Sequence, residues 1–517
     1  MFINGINNFQ YSALNPKKQA FKGGNEVHVR TLSTNDIHGS LIGFRKVKTE
    51  VDRFRAETPK DIVSFVVDAG DSSVGANEKK NETIVEINNA IAPDEKSPGN
   101  HEFDQYGTKG YSKLLDKAKY QTLALNLIPK QNCALQDDID AGRLAKSNII
   151  ERNGKKFGFI GLIPTDLKSR INLQCKENSE DVDILDLPET IKAVQKEVEK
   201  LEAQNVNMIT VVSHLGYDSD VELAKNVVGI DVINGGHSHD IIDGVVAGKN
   251  FFMSKRGEPV LITQTGKNGH NVGITDIVYD NKGRIIKAKN EIKSIEKTPE
   301  NLLIMAIENH ILGHPQEIGI IAQDAKAIPE YVLDEAPINS FLCDGYRKYT
   351  GAQIAFNNTG SIRNSFKKGP VTDRQIMDIL PYYNPVHIYK LSEKDIMDAL
   401  NGAIGAARQY QRTGALQVSG MRYTIGKNDK VKDVYLVKDD GTEEKMNSEN
   451  PSSDKFFTVT YNTFLAGGTE GLQVLKAPEK IIGTCEKTET DILKDYIASF
   501  NHQPITIAKM GRIIKED

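Results

Sequence analysis

Six short segments carry side chains that together can hold metal ions. They are Asp36-Ile37-His38, Gly70-Asp71, Gly99-Asn100-His101-Glu102-Phe103-Asp104, Ser213-His214-Leu215-Gly216, Gly236-His237 and Ser238-His239. Five of the eleven histidines fall in them. Asp36 and His38 are two residues apart, and in an extended chain such side chains project to the same side. Asp71 has two carboxylate oxygens and can bridge two ions. Asn100 offers a neutral amide oxygen, and His214, His237 and His239 offer imidazoles. Seven ligands with one shared make two four-ligand sites, each with room for water and substrate. Oxygen and imidazole donors without thiolate suit Zn, Mn, Fe or Co. The chemistry expected of such a site is metal-assisted hydrolysis of a phosphate ester.

The elements that must position these groups are legible around them. Val27 to Ser33 and Val63 to Val67 are β-branched runs that precede Asp36 and Asp71. Ile209 to Val212 leads directly to His214, and Ile230 to Ile233 leads to His237. Asp186-Leu187-Pro188 starts a helix, with Ile191, Val194, Val198 and Leu201 at helical spacing. Alternating strands and helices predict an α/β domain. Groups at the carboxyl ends of its strands face one crevice. Thr298-Pro299 reads as a cap with proline in the first turn. Leu302, Leu303, Ala306, Ile307 and Ile311 then mark one helical face, with Gly313 as the stop. This helix, over 298–313, is expected to connect a domain at 25–297 to a second α/β domain at 314–517. Residues 1–24 are polar and read as a flexible tail without the apolar core of a secretory signal.

A chain of 517 residues with net charge −5 is not built for nucleic acid or anionic membranes. No stretch approaches the roughly 18 apolar residues that span a bilayer. Cys133, Cys175, Cys343 and Cys485 are far apart and read as separate small residues.

Taken as a set, Asp36-x-His38, Gly70-Asp71, Gly99-Asn100-His101-Glu102, His214 and Gly236-His237-Ser238-His239 resemble the calcineurin-like metallophosphoesterases. Ala124-Leu125-Asn126, Phe157 to Leu162 and Gln264-Thr265-Gly266 resemble its 5′-nucleotidase branch. In the second half, Asn358-Thr359-Gly360-Ser361-Ile362-Arg363 resembles that branch's Asn-x-Gly-Gly-Ile-Arg loop. Leu380-Pro381-Tyr382, Gln417 to Gly420 and Phe464 to Gly471 resemble later landmarks. The resemblance runs from about residue 27 to 515.

It implies a four-layer α/β/β/α sandwich of two mixed sheets between helices, followed by an α/β substrate-binding domain. Asp36, His38, Asp71 and His239 would hold one divalent ion, and Asp71, Asn100, His214 and His237 the other. His101 would approach the substrate phosphate with Asp104 orienting its ring. Asn358, Arg363, Tyr382, Phe464 and Glu470 would contact a nucleotide, the two rings clamping its base. The implied activity is a phosphomonoesterase of the 5′-nucleotidase type. A water bridging the ions would be deprotonated and attack phosphorus in line. A 2′,3′-cyclic-nucleotide phosphodiesterase, a nucleotide-sugar hydrolase and an idle nucleotide-binding surface protein are the alternatives. Departures in the second half bear on the substrate: Ser361 replaces a loop glycine, Gly-Gly-Thr-Glu-Gly replaces Gly-Gly-Asp-Gly, and Glu335 to Ser340 only partly match the entry to this domain, without the arginine often found upstream. Relatives of this type are often extracytoplasmic, and the compartment stays open.

Overall fold

The strand Val27–Thr34 shows how the first half is built. Val29 faces one core and Leu32 the opposite one, and both are buried. The next strand, Val63–Asp68, repeats the pattern. Val63, Phe65 and Val67 join Val29, while Val66 joins Leu32. A sheet buried on both faces needs such near-continuous apolar runs. The computed structural model describes residues 26–171, 173–327, 333–410, 414–468 and 471–516. The tail expected over 1–24 lies outside them.

These strands belong to a seven-stranded sheet ordered Ile285–Ser294, Asn271–Tyr279, Val27–Thr34, Val63–Asp68, Glu95–Lys96, Thr122–Leu123, Leu144–Ala145. The first two run antiparallel to their neighbours and the remainder pair in parallel. A second mixed sheet is centred on Lys155–Leu162, Ile209–Ser213, Val232–Asn234 and Pro259–Thr265, all paired in parallel. The two sheets face each other across Val67, Phe157, Phe159, Val212 and Leu261. The helices Leu41–Glu57 and Glu78–Ile91 cover the outer face of the first sheet. The helices Leu187–Glu202 and Tyr217–Asn226 cover that of the second. This is the four-layer sandwich expected. Cys133, Cys175 and Cys343 are buried among apolar neighbours.

The second half is a separate α/β unit. Its central sheet is ordered Gln417–Ser419, Ile354–Asn357, Phe456–Asn462, Pro385–Ser392, Ile481–Thr488. Three- and four-stranded sheets flank it, and the helices Pro337–Thr350, Glu393–Tyr410 and Glu489–Ala498 pack around it. No helix among the described residues is long and apolar enough to cross a membrane.

The helix between the units differs from its sequence reading at its start. It spans Leu302–Leu312, and its cap is Asn301, whose side chain accepts from the amides of Leu303 and Ile304. Thr298 instead hydrogen-bonds Glu50 (2.5 Å). Gly313 ends the helix as expected, with φ +83°. Its buried contacts are Ile304 and Glu308, while Leu302 and Leu303 are 79% and 53% exposed. The apolar stripe therefore marks the packed face only in part: Ile307 packs on the core of the first unit, while Leu302 and Leu303 do not. A carboxylate completes that face: Glu308 is fully buried and is gripped from both sides. Arg45 of the first unit donates to it through Nε (2.9 Å) and Nη2, and Arg374 of the second through Nη1 (3.1 Å).

Removing one member of a buried ion cluster leaves the others uncompensated, at about 3–5 kcal/mol. Glu308→Ala is therefore expected to destabilise the chain by about that amount in denaturant unfolding. Glu300→Ala, whose carboxylate also reaches Arg45 but is 39% exposed, should change stability little. Equal effects would show that burial of the cluster does not set its contribution.

Candidate metal centre

The ligand groups sit where strands end, but not on extended backbone. Asp36, His38, Asp71, His237 and His239 have φ of +52°, +51°, +53°, +75° and +63°. Non-glycine residues rarely adopt this left-handed region. The i, i+2 projection of Asp36 and His38 thus has a different origin from the one expected. Two left-handed residues flank Ile37, which is buried toward the helices. Backbone bonds lock this turn to the next: Asp36 N to Gly70 O (2.9 Å), His38 N to Asp71 O (2.8 Å), Gly39 N to Ser72 O (2.7 Å).

One buried carboxylate holds the third loop against the second. Glu102 Oε2 accepts from Asp71 N (2.9 Å) and Gly99 N (2.7 Å), and Oε1 from Ser72 N (2.8 Å) and Ser73 N (3.1 Å). Behind it, Lys96 binds Asp68 and Ser72. Gly99 is required by space. A Cβ there would lie 2.6 Å from His214 Nε2.

The arrangement frees one donor atom on each ligand. Asp36 Oδ2 accepts from Asn35 Nδ2 (2.7 Å) and His237 N (2.9 Å), leaving Oδ1. Asp71 Oδ1 accepts from His101 N (2.8 Å), leaving Oδ2. His214 Nδ1 donates to Ala69 O, which fixes the tautomer and leaves Nε2. His38 Nδ1 pairs with Asn268 Oδ1 (3.1 Å). The remaining atoms converge. His239 Nε2 and His38 Nε2 are 3.3 and 3.6 Å from Asp36 Oδ1. His214 Nε2 and His38 Nε2 are 3.2 and 3.5 Å from Asp71 Oδ2, which lies between the two groups. Asp36, His38 and His239 have donor atoms close enough to share one ion, and so do Asp71, His214 and His237. A third such group, His38, Asp71 and His101, joins them.

The chemistry fits cations. Asp36 Oδ1, Asn100 Oδ1 and His214 Nε2 are buried without a hydrogen-bond partner. In water-excluded surroundings such atoms need a ligand. Burial, then His214, pushes His237 down to about 4, and burial, then Arg363, pushes His38 down to about 3. Burial lowers His239 too. All three stay in the neutral, ligating form. Burial opposes charge on His214, but Asp71 and Asp36 outweigh it and raise its pKa to about 10. The field that favours a proton there favours a metal ion. Asn100 precedes the short helical turn His101–Phe103 and makes no side-chain cap bond, which leaves its amide oxygen for the cluster.

His101 stands beside this cluster rather than in its deepest part. Its Nδ1 donates to Asp104 Oδ2 (2.6 Å), and its Nε2 is 3.9 Å from Asp71 Oδ2. Burial disfavours the imidazolium, yet Asp104 and Asp71 raise it to about 9. Asp104 Oδ2 also accepts from Gly75 N (2.9 Å).

The second unit reaches this site with two of its five expected groups. Arg363 Nη2 is 3.1 Å from His38 Nδ1, and the Tyr382 ring centroid is 5.8 Å from that of His101. Arg363 also lies over Tyr382 at 5.8 Å. Asn358 follows the strand Ile354–Asn357 with its Oδ1 buried and unpartnered. Phe464 is half-buried against the core of the second unit, and no ring contact joins it to Tyr382 among the described residues. Glu470 lies outside the described residues.

Residues 29–240 match the family described as calcineurin-like phosphoesterase, and residues 318–477 match the 5′-nucleotidase C-terminal domain. The chain belongs to the 5′-nucleotidase family of calcineurin-like phosphoesterases. A 5′-nucleotidase precursor from Thermus thermophilus shares the fold with TM-score 0.75 and 26% identity, covering 94% of this chain and 99% of that one. An apyrase of Anopheles gambiae is 26% identical over 95% of this chain and 90% of its own length. The trifunctional nucleotide phosphoesterase protein YfkN of Bacillus subtilis is 25% identical over 86% of this chain. The chain spans only 32% of that protein's length. Members of the family are metal-dependent phosphoric ester hydrolases, and the two-domain layout agrees with the Thermus structure.

Sequence reasoning missed the groups that hold the ligands. Glu102 stands inside the Gly99-Asn100-His101-Glu102 motif, whose spacing gives it no role. Asn268 pairs with His38 and donates through Nδ2 to Arg363 O (3.1 Å), tying the two units beside the cluster. Asp166 stands 3.7 Å from His237 Nε2, with its other oxygen held by Arg170 (2.6 Å). None of these sits at a spacing that signals its partner.

Elemental analysis after dialysis against Mn should separate these roles. Asp71→Ala should lose metal from both positions, and His239→Ala mainly from one. Glu102→Gln touches no ligand atom, yet should weaken metal affinity about 10–100-fold, as expected when groups supporting the ligands are lost. Full retention of metal in Glu102→Gln would remove its assigned role.

Proposed function

We propose that the chain is a dinuclear phosphomonoesterase that releases phosphate from nucleotides. The observation that carries this reading is the meeting of Arg363 and Tyr382 with His38 and His101 across the two units. A phosphate at the cluster faces a guanidinium and a ring supplied by the other half of the molecule. Asp36, His38, Asp71 and His239 would hold one divalent ion, and Asp71, Asn100, His214 and His237 the other. When bound, such ions supply Lewis-acid chemistry, lowering the pKa of water and neutralising phosphate oxygens.

The chain's own groups do the rest. Arg363 offers a planar donor fork to a phosphate oxygen. His101 holds a proton at Nε2 toward the leaving oxygen, and Asp104 fixes the ring through Nδ1. Tyr382 stacks on one face of the base, Phe464 on the other, and Asn358 presents its free amide oxygen. Glu470 is assigned to the ribose by resemblance alone. The helix Leu302–Leu312 serves as the connector about which the units reorient. The assay panel that tests this is AMP, a 2′,3′-cyclic nucleotide, a nucleotide sugar and an aryl phosphate, each with Mn, Co and Zn. Hydrolysis of none of these would leave the idle-binder reading.

His101→Ala should keep its metal and lose about 10²–10⁴-fold in kcat on AMP, as for a general acid. The loss should shrink on p-nitrophenyl phosphate, whose leaving group needs little protonation. Loss of metal from this variant would mean His101 is a ligand.

Phe464→Ala should raise KM for AMP by about 10–100-fold, the equivalent of one stacked base. Its KM for p-nitrophenyl phosphate should rise much less. Equal losses on both esters would make the ring part of the core, and the nucleotide assignment would fall with it.

A further inference from the structure

Outside the metal centre, Glu489, at the start of the helix Glu489–Ala498, is a buried acid that accepts four hydrogen bonds. It is fully buried in the second unit. Its Oε1 accepts from Asn384 Nδ2 (2.7 Å) and Asn384 N (3.4 Å). Its Oε2 accepts from Asn462 Nδ2 (2.8 Å) and the Tyr346 hydroxyl (3.0 Å). Its own amide donates to Asn384 O (2.9 Å), and Thr490 Oγ1 donates to Leu380 O (2.8 Å). Burial raises the carboxyl's pKa, against the pull of Asn462, Tyr346 and Asn384.

The partners are the informative part. Residues 380–384 form the loop that carries Tyr382. Asn462 is the cap of the short helix Thr463–Ala466 that carries Phe464, its Oδ1 accepting from Leu465 N (3.0 Å). One carboxylate therefore grips both ring-bearing segments. The network continues. Asn462 Nδ2 reaches Asn357 Oδ1 (3.4 Å), and Asn357 Nδ2 donates to Ser361 Oγ (2.8 Å). Ser361 Oγ donates to Asn358 O (3.0 Å) and accepts from Asn339 Nδ2 (3.2 Å). The loop bearing Asn358 and Arg363 is thus in the same chain of bonds. The hydroxyl of Ser361, where the resemblance expects glycine, is the joint.

We propose that Glu489 is a positioning residue that sets the register of the Tyr382, Phe464 and Asn358–Arg363 segments, and thereby the specificity of the site. The specificity half rests on the nucleotide reading above. The positioning half does not. Buried polar networks are rigid only when every member is satisfied. Without the carboxylate, Asn462 and Tyr346 each lose an acceptor in a dry interior, Asn384 loses its own at the partly buried edge, and the two segments are no longer joined. The assigned metal ligands all lie in the other unit, outside this chain of bonds.

The test is hydrogen exchange of the full chain, with Glu489→Met and Asn384→Ala compared with the parent. Glu489→Met should raise amide exchange about tenfold or more in both 380–385 and 462–466, the equivalent of losing one charge-assisted hydrogen bond. Asn384→Ala should raise it in 380–385 alone, and this variant decides the matter if Glu489→Met does not fold. Metal content should stay that of the parent. The ratio of kcat/KM for AMP to that for p-nitrophenyl phosphate should fall in both variants. Unchanged exchange, or a rise spread evenly over the second unit, overturns the role of Glu489 whatever the substrate. Raised exchange in the two segments with an unchanged ratio keeps the positioning and overturns the nucleotide reading.

Discussion

Four backbone N–H groups converge on the single buried carboxylate of Glu102, and the metal centre depends on that convergence. Five of the seven assigned ligands are in the left-handed region. At about 1–2 kcal/mol each, that conformation costs on the order of 5–10 kcal/mol. The sum rivals the whole stability of an ordinary domain. It persists only because the surrounding bonds over-determine it. Glu102 supplies four of them, each charge-assisted, and the ladder from residues 36–39 to 70–72 supplies three more. The strain has a use. A left-handed residue at a strand end turns its side chain out of the pleat and into the crevice, where an extended residue would point into a sheet face.

The order of the ligands along the chain was legible because strand ends and histidines coincide. The layering is implied by the family resemblance, and only the α/β class was legible from the alternation of strands and helices. The backbone that delivers the ligands was not. An i, i+2 pair projects to one side in a strand and also when two left-handed residues flank a buried Ile37. The sequence is the same in both cases. The helix Leu302–Leu312 fails for a related reason. An apolar stripe marks the whole packed face only when no buried charge competes for it. Glu308, with an arginine on each side, shares the packed face with Ile304 and Ile307, and Leu302 and Leu303 are left in solvent. Asn268 was invisible because a group that orients His38 needs proximity in space and no spacing in sequence.

The meeting of the two units is part of the site rather than a scaffold around it. Asp378 of the second unit accepts from the amides of Leu41 (3.1 Å) and Ile42 (3.4 Å), at the start of the helix Leu41–Glu57. A carboxylate is favoured at that end of a helix dipole. The helix begins three residues after His38. Lys80, fully buried, donates to Met377 O (2.6 Å) beside it. On the other side of the cluster, Gly75 N bonds Asp104, and Ala76 N bonds Tyr382 O (3.3 Å). The pair His101–Asp104 and the loop of Tyr382 are therefore coupled through two consecutive residues. A shift of the second unit therefore acts on His101 and on the turn bearing Asp36 and His38 together.

This coupling divides the labour unevenly. The first unit uses its buried carboxylates, Glu102, Asp68 and Asp36, to fix the loops that bring the candidate ligand atoms together. Little can change there, because the oxygens of Glu102 and Asp68 are each taken by backbone or side-chain donors of these loops. The second unit uses Glu489 to fix segments relative to one another, and the atoms that face a substrate hang from those segments. Ser361 and the stretch following Gly468 depart from the family pattern on that side alone. A polar network tolerates such changes when the new group finds partners, as the Ser361 hydroxyl does with Asn357, Asn339 and Asn358 O. Substrate preference can therefore drift by rewiring the network under the Tyr382 and Phe464 segments, while the strained turns that hold the candidate metal ligands stay constant.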